Sequence, residues 1–523
     1  MRKHAPLAVI LVVAAIVRYW ALAFCLPGQL CRPDEEAVAG IAMQFFGRDF
    51  NPHFFDWPTL FMYATALGLA LYFNYGRFLG RFPTELSFLE RIVTHTTPVY
   101  LTARILSATF GTLSVLILYR VARRLFDETT ALVAMLFFAL AFLHARDSHF
   151  GVTDVPATFI ILVAFLFIVR LRDSGRVSDL VIGGITAGLA ASTKYNAALI
   201  AVPAIWVLRS RWKSMLLFGA LMILAFAATS PYCLIDFPQF TASLKSISAH
   251  LSGGHGAMLG RGWIVHLTSS LRFGIGLPML LAGIAGMVWL FWIDPPRGAL
   301  VAIFPIAYYV VVGSGYTVFS RYILPVVPWL CLTAAFLVVE AARALALAIG
   351  RPQRRGVLTW GIAILVVAPS AASIIQFDRL LAIPDARVVA ADWVREHFPK
   401  GATIAEVGRR STGLFFVRES NTVPSRYITM PFNDDENVGR PDVLIIAVSL
   451  FDPAAPISER ARAMASEYVP MFVADAHSMT ARGVVYDWQD EFYLPLRGFR
   501  DIWRPGPNLT VYVRPDLARR SSN

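Results

Sequence analysis

Residues 6–26 read PLAVILVVAAIVRYWALAFCL, and after a Pro27-Gly28 turn the chain reaches Arg32-Pro33-Asp34-Glu35-Glu36. An apolar run of this length can cross a bilayer as one helix. Three adjacent acids at the mouth of such a span are expensive unless something uses them. Pro33 sets the chain direction just before them, and Asp34 can cap the amphipathic stretch Glu35–Phe46. Acids also suit any helix start, so an ordinary cap in a wet loop is the competing reading. The first reading makes the other loops on this side assemble around these acids. Met1-Arg2-Lys3-His4 before the run resembles the start of a signal peptide, but the run is long and has no small-residue cleavage site. It reads as an uncleaved first helix.

Composition agrees with a membrane protein. Of 523 residues, 56% are hydrophobic and 16% charged, against about a quarter charged in soluble domains; mean hydropathy is +0.57. The net charge of +12 does not point to nucleic acid, because the basic residues sit in short clusters between apolar runs, the pattern of the positive-inside rule. Cys25, Cys31, Cys233 and Cys331 form no metal spacing. Cys25 and Cys31 are close enough in sequence for a disulfide, although the Pro and Gly between them give the loop no fixed geometry.

Placing basic clusters in the cytoplasm orders the rest. Residues 6–26 run outward. Pro58–Tyr75 is apolar, but if it spanned, Arg120, Arg123 and Arg124 would fall outside, so it reads as an interfacial or re-entrant helix on the outer side. Pro98–Tyr119 runs inward, Thr129–Leu143 outward, and Asp154–Val169 inward to Arg170, Arg172 and Arg176. Asp179–Ser192, Tyr195–Leu208, Met215–Tyr232, Arg272–Trp292, Ala299–Val312, Tyr322–Ala342 and Val357–Ile375 continue the alternation. The fold expected is a polytopic α-helical membrane protein of about eleven spans over residues 1–375, with a cytoplasmic N-terminus. Residues 376–523 contain no spanning run and read as a soluble α/β domain outside the membrane, with a helix Ala386–His397 opened by Pro384-Asp385. Its strands are Thr403–Val407, Val443–Val448 and Asn508–Val513, and a second helix covers Glu459–Tyr468. Val443–Val448 is apolar enough for burial on both faces. Asn508-Leu509-Thr510 matches a glycosylation sequon by pattern alone.

Under this topology the outer side collects Asp34 and Glu35, Arg104, Asp154, Lys194 and Tyr195, His250 and His255, and Arg321 and Tyr322. Each also has a plainer role. Arg104 and Lys194 suit snorkelling, Asp154 a helix cap, Arg321 a helix-end anchor. His250 and His255 suit a polar loop, and Trp57 in Trp57-Pro58-Thr59 suits packing. Carboxylates and cations together at a membrane surface fit a carboxylate base acting on an acceptor hydroxyl, with cations stabilising a departing lipid phosphate. Direct displacement at the anomeric carbon inverts it and needs no covalent intermediate.

The ordered set Arg32-Pro33-Asp34-Glu35, Asp56-Trp57-Pro58-Thr59-Leu60 and Ala103-Arg104-Ile105-Leu106-Ser107-Ala108, with Tyr119 and Arg123-Arg124-Leu125, resembles a known group. So do Thr153-Asp154-Val155-Pro156, Thr193-Lys194, Ser230-Pro231-Tyr232 and Arg321-Tyr322-Ile323-Leu324-Pro325. The group is the GT-C glycosyltransferases of the family-39 type, which includes protein O-mannosyltransferases and lipid A aminoarabinose transferases, and the resemblance covers roughly residues 6–345. It implies the GT-C fold and an inner-membrane enzyme that moves a hexose or pentose from a polyprenyl-phosphate donor to a glycolipid, polysaccharide or protein of the envelope. It implies Asp34 as base with Glu35 beside it and Asp154 lining the acceptor side. Arg104, Lys194 and Arg321 are its candidates for donor phosphate, and Trp57, Tyr195, His250, His255 and Tyr322 line the substrate. Relatives often carry a Lys or a second Pro near Trp57-Pro58-Thr59, and this chain has neither. A divalent metal is compatible with the acids, but nothing in the sequence requires one. A transporter of lipid-linked sugars and an envelope-polymer-binding scaffold are the alternatives; the first would need ionisable residues across the membrane's depth and an internal repeat.

Overall fold

The computed structural model describes residues 5–26, 32–408, 426–432, 439–449, 451, 457–480 and 482–521. The chain divides into two compact units. The first comprises Met1–Leu22, Ala37–Tyr72 and Val99–Ile375; the second comprises Ala23–Glu36, Phe73–Pro98 and Gln376–Asn523.

The first unit is a bundle of apolar helices, and this is a multi-pass membrane protein. Among the described residues, six helices are long and apolar enough to cross a membrane: Thr97–Leu125, Asp154–Ser174, Trp212–Thr229, Pro295–Val312, Ser320–Ala348 and one within Pro352–His397. A seventh is the bent pair Gly262–Ile275 and Leu277–Ile293, and four shorter apolar helices are Ala5–Tyr19, Glu128–Ala139, Val177–Ala191 and Tyr195–Leu208. Together these occupy the eleven runs read from the sequence. The Leu60–Phe78 helix is not one of them.

Two runs differ from the straight spans expected. Arg272–Trp292 is not one rod: the pair turns through 114° at Gly276, whose φ of +82° only glycine adopts easily. Pro278 follows within the first turn of the next helix. The run expected to reach Leu143 stops at Ala139, because the chain there turns into a short helix, Phe142–Asp147. Arg18 closes that end. Fully buried, it donates to the carbonyls of Ala139 at 3.0 Å and Phe138 at 3.1 Å, and to Ala14 one turn back at 3.0 Å. A cation on the last carbonyls of a helix satisfies orphan acceptors and meets the negative end of its dipole. That is how a charged residue is accommodated inside an otherwise apolar run.

Small residues bring helices together where lipid gives no hydrophobic drive. Gly184 and Gly188 of the Val177–Ala191 helix lie against Leu221, Met222 and Ala225 of Trp212–Thr229. Gly283 and Gly286 lie against the Leu330 and Thr333 backbone, and Thr333 Oγ1 donates to the Gly283 carbonyl at 2.7 Å. A Cβ at Gly188 would collide with the Met222 carbonyl, whereas Gly219 faces open space. Gly188→Leu is therefore expected to cost about 1–3 kcal/mol and Gly219→Ala almost nothing, read as thermal unfolding in detergent.

The second unit carries a five-stranded mixed sheet in the order β2-β1-β3-β5-β4. The strands are β1 Thr403–Val407, β2 Ile428–Pro431, β3 Val443–Val448, β4 Val469–Ala474 and β5 Asn508–Val513. β1 pairs in parallel with β2 and β3; β5 is antiparallel to β3 and β4. The apolar β3 is central, as its composition requires. The Ala386–His397 helix packs Ala386, Ala390 and Val394 on one face, against Ile404, Val443, Ile445 and Val511. The other face, Ala405, Leu444 and Ile446, is covered by Met464, Ala465 and Tyr468. Asp385 caps the first helix, accepting from the Arg387 amide at 2.9 Å.

The sequon asparagine is used internally. Asn508 accepts from the Ala476 and His477 amides at 2.7 and 3.0 Å and donates to the His477 carbonyl at 2.9 Å. His477 itself is buried. Burial holds its imidazole below the ordinary value of about 6.5. The folded state then binds fewer protons than the unfolded one. The stability this contributes is complete above that ordinary value and is lost as pH falls through it toward the folded value. Protection factors across β4 and β5, corrected for the intrinsic pH dependence of exchange, are expected to fall between pH 7 and pH 5, and His477→Gln to flatten that dependence.

Candidate active site

In the first unit, the centre of the site is Asp154, the first residue of the Asp154–Ser174 helix. Its carboxylate does not cap its own helix. It accepts from Lys194 Nζ through Oδ1, while Arg321 Nε stands 3.8 Å from Oδ2. The side chains of Asp154, Lys194 and Arg321 are 4%, 11% and 5% exposed, so two cations share one carboxylate away from bulk water. Such an arrangement costs desolvation and leaves net positive charge, which favours an incoming anion.

Three different elements deliver these groups. Asp154 opens one helix. Lys194 sits in the break between Val177–Ala191 and the 3₁₀ turn Tyr195–Ile200, with an extended backbone. That break is fixed from outside: Ser192 and Ser230 share a 2.6 Å hydroxyl contact, and the Leu60 amide donates to the Ser192 carbonyl at 3.1 Å. Arg321 comes from the 3₁₀ segment Ser320–Val326 that leads into the longest buried span. Tyr322 lies under the Lys194 ammonium, 4.6 Å from ring centroid to nitrogen. The Arg321 guanidinium lies 4.5 Å from the Phe319 ring. His255 meets Phe319 at 5.4 Å and His250 at 5.0 Å. Asp154, Lys194, Arg321, Tyr322, His255 and His250 therefore form one connected chain of contacts.

The remaining sequence candidates have other surroundings. Arg104 is buried and donates to the Leu22 carbonyl at 2.9 Å. Trp57 packs against Val38, Phe61 and Ala103, with Phe54 edge-on at 5.1 Å. Tyr195 donates to the Phe55 carbonyl at 3.0 Å. Asp34 and Glu35 belong to the second unit, where Asp34 is half-buried with φ +75° and Glu35 is buried. Cys25 is disulfide-bonded; Cys31, with which the sequence left a disulfide open, lies outside the described residues. Cys233 and Cys331 are buried thiols. Among the described residues, no three His, Cys, Asp or Glu side chains are arranged to hold a metal ion.

Two features were missed in the sequence. Residues 141–158 are buried without exception, and they include His144, Arg146, Asp147 and His149. Arg146 and Asp147 pair at 3.1 Å with neither side chain exposed. The polar run His144-Ala145-Arg146-Asp147-Ser148-His149 between two apolar runs was the available signal. Tyr308 and Asn196 are the second. The Tyr308 hydroxyl and Asn196 Oδ1 are buried, and Tyr308 is close enough to feel both the Asp154 charge and Asn196. A tyrosine in an apolar helix carries no sign of this in sequence.

A family model described as dolichyl-phosphate-mannose-protein mannosyltransferase matches residues 89–235. No curated protein matches the chain. Among solved structures, ArnT from Cupriavidus metallidurans in the apo state has 14% identity and a TM-score of 0.56 over 98% of each chain. The chain has the GT-C fold. The same ArnT bound to undecaprenyl phosphate has 16% identity and a TM-score of 0.52, covering 97% of this chain and 98% of that one. The apo Archaeoglobus fulgidus oligosaccharyltransferase has 14% identity and a TM-score of 0.51. That likeness covers 83% of this chain and 62% of the oligosaccharyltransferase, so the chain spans less than two thirds of that enzyme. The family-39-type resemblance read from the motifs is borne out by the family match and by this GT-C fold. Arg104, Asp154 and Lys194 all fall inside the matched stretch.

Proposed function

We propose that this protein is an integral-membrane glycosyltransferase. It moves a sugar from a polyprenyl-phosphate donor to an envelope hydroxyl on the outer side of the cytoplasmic membrane, with inversion. The observation that carries this reading is the buried carboxylate of Asp154 held between Lys194 and Arg321. Two cations gathered at one buried carboxylate suit a phosphate whose negative charge grows as the sugar leaves. The family match and the GT-C fold support a lipid-linked donor, and the ArnT structure holds undecaprenyl phosphate.

In the reaction, the acceptor oxygen forms a bond to the anomeric carbon from the face opposite the leaving group. The bond from that carbon to the phosphate oxygen breaks, and its electron pair goes to the phosphate. The acceptor proton passes to a carboxylate, for which the motif resemblance supplies Asp34. The basic clusters at Arg123-Arg124, Arg170-Arg172 and Arg209-Arg211 support a cytoplasmic side opposite the site. The test is purified protein in proteoliposomes given labelled undecaprenyl-phosphate hexoses and pentoses with an envelope extract. Label in a new glycoconjugate is the expected result. Label crossing the bilayer unchanged would make the chain a transporter, and binding alone would make it a scaffold.

A further inference from the structure

We propose that the C-terminal unit positions the acidic loop through a buried ion pair, Arg32 with Asp490, and is therefore part of the working machinery. This rests on the reading of Asp34 as the base. Arg32 Nη2 stands 2.6 Å from Asp490 Oδ2, with the two side chains 0% and 1% exposed. Its guanidinium also lies 5.5 Å from the Phe492 ring centroid, and Phe492 meets Phe24 edge-on at 6.3 Å. The chain on both sides of the short Cys25–Arg32 connection is thus docked on one loop of the C-terminal domain.

That loop is built to hold its place. The amides of Asp490 and Glu491 both donate to the Asp487 carbonyl at 3.1 Å. Glu491 takes a left-handed backbone, φ +47°. Asp487, Gln489 and Asp490 are buried. Tyr493, one residue past Phe492, lies 5.0 Å from the Arg387 guanidinium, and Arg387 is locked on Asp385 at 2.8 Å at the start of the Ala386–His397 helix. The Ala386 amide in turn donates to the Pro505 carbonyl at 2.8 Å. A continuous set of contacts therefore runs from the helix on the sheet to Arg32, two residues before Asp34.

The chemistry explains why a buried pair is used. A carboxylate acting as base must be held within a fraction of an ångström, and displacement by about 1 Å can cost a hundredfold in rate. Pro33 fixes the backbone between Arg32 and Asp34, and Asp34 sits in the left-handed region at φ +75°. With Arg32 pinned, few torsions remain free to move the Asp34 carboxylate. Arg32 and Asp490 are positioning residues; neither is assigned contact with substrate.

The experiment uses the full chain in nanodiscs and compares Asp490→Asn, Asp490→Glu and Arg32→Lys with the parent. Amide exchange is followed over residues 32–44, and turnover is measured with undecaprenyl-phosphate mannose or whichever donor of the panel above supports transfer. In Asp490→Asn the expectation is faster exchange over 32–44 and kcat lowered about tenfold to a hundredfold, at unchanged donor KM. Asp490→Glu should restore part of both. Unchanged exchange, or faster exchange with unchanged kcat, overturns the proposal. If Asp490→Asn does not fold, Arg32→Lys decides by the same readouts, since it keeps the charge and loses the planar fork. If the parent transfers no sugar from any donor, the transferase reading fails while the exchange result still decides the clamp.

Discussion

Asp154→Asn is expected to abolish sugar transfer and to lower the stability of the membrane unit. The substitution keeps size and shape but removes the carboxylate charge that meets both Lys194 and Arg321. Two cations, both nearly out of water, would then face a neutral amide. Removing one partner of a buried ionic set costs about 3–5 kcal/mol, because the charges left behind stay desolvated. Transfer should fall by at least a hundredfold, as the cations are no longer held where a leaving phosphate needs them. Adding Lys194→Met to Asp154→Asn separates the two effects. The double variant should regain thermal stability in detergent, having one buried cation fewer, and stay inactive. Full activity with an unchanged melting temperature in Asp154→Asn would remove this cluster from the mechanism.

Asp34→Asn is the second large expected effect, of a different kind. General-base catalysis contributes about a hundredfold to ten-thousandfold, and an amide cannot accept the acceptor proton, so turnover should fall by that range. Folding and donor binding should survive. Asp34 is only half-buried, and its left-handed backbone at φ +75° is one that asparagine accommodates as readily as aspartate. The measurements are transfer with labelled donor, donor affinity and the melting temperature, made on one preparation. Unchanged turnover would refute the assignment of Asp34 as base. A fall in donor affinity alone would move the residue to substrate binding.

Much of this was legible in the sequence. Apolar length and the placement of arginines located the eleven helical runs, since those signals are local and strong. The limits of β1, β3 and β5 were also local, read from β-branched runs and alternation. β2 and β4 were not. Both are edge strands, and each carries a proline, Pro431 and Pro470, which reads as a strand breaker away from an edge. The 114° turn at Gly276 was hidden because a glycine two residues before a proline in an apolar run also suits a gentle kink. In the candidate site, charged residues announced themselves, and Asp154, Lys194 and Arg321, which the fold brings together, were singled out by that means. Tyr308 and Asn196 were not, because what distinguishes them is their place beside Asp154, and neighbours are set by packing between distant segments. Arg18 is similar: its carbonyl acceptors on Phe138 and Ala139 lie in another helix.

The Arg32–Asp490 pair also bears on biogenesis. Its two halves are roughly 450 residues apart, and ribosomes add about 5–20 residues per second, so the loop waits on the order of half a minute or more for its counter-ion. During that interval Arg32 lacks the Asp490 carboxylate. Under the proposed clamp, a product truncated before Asp490 is expected to turn over at least tenfold more slowly, however well its membrane helices assemble.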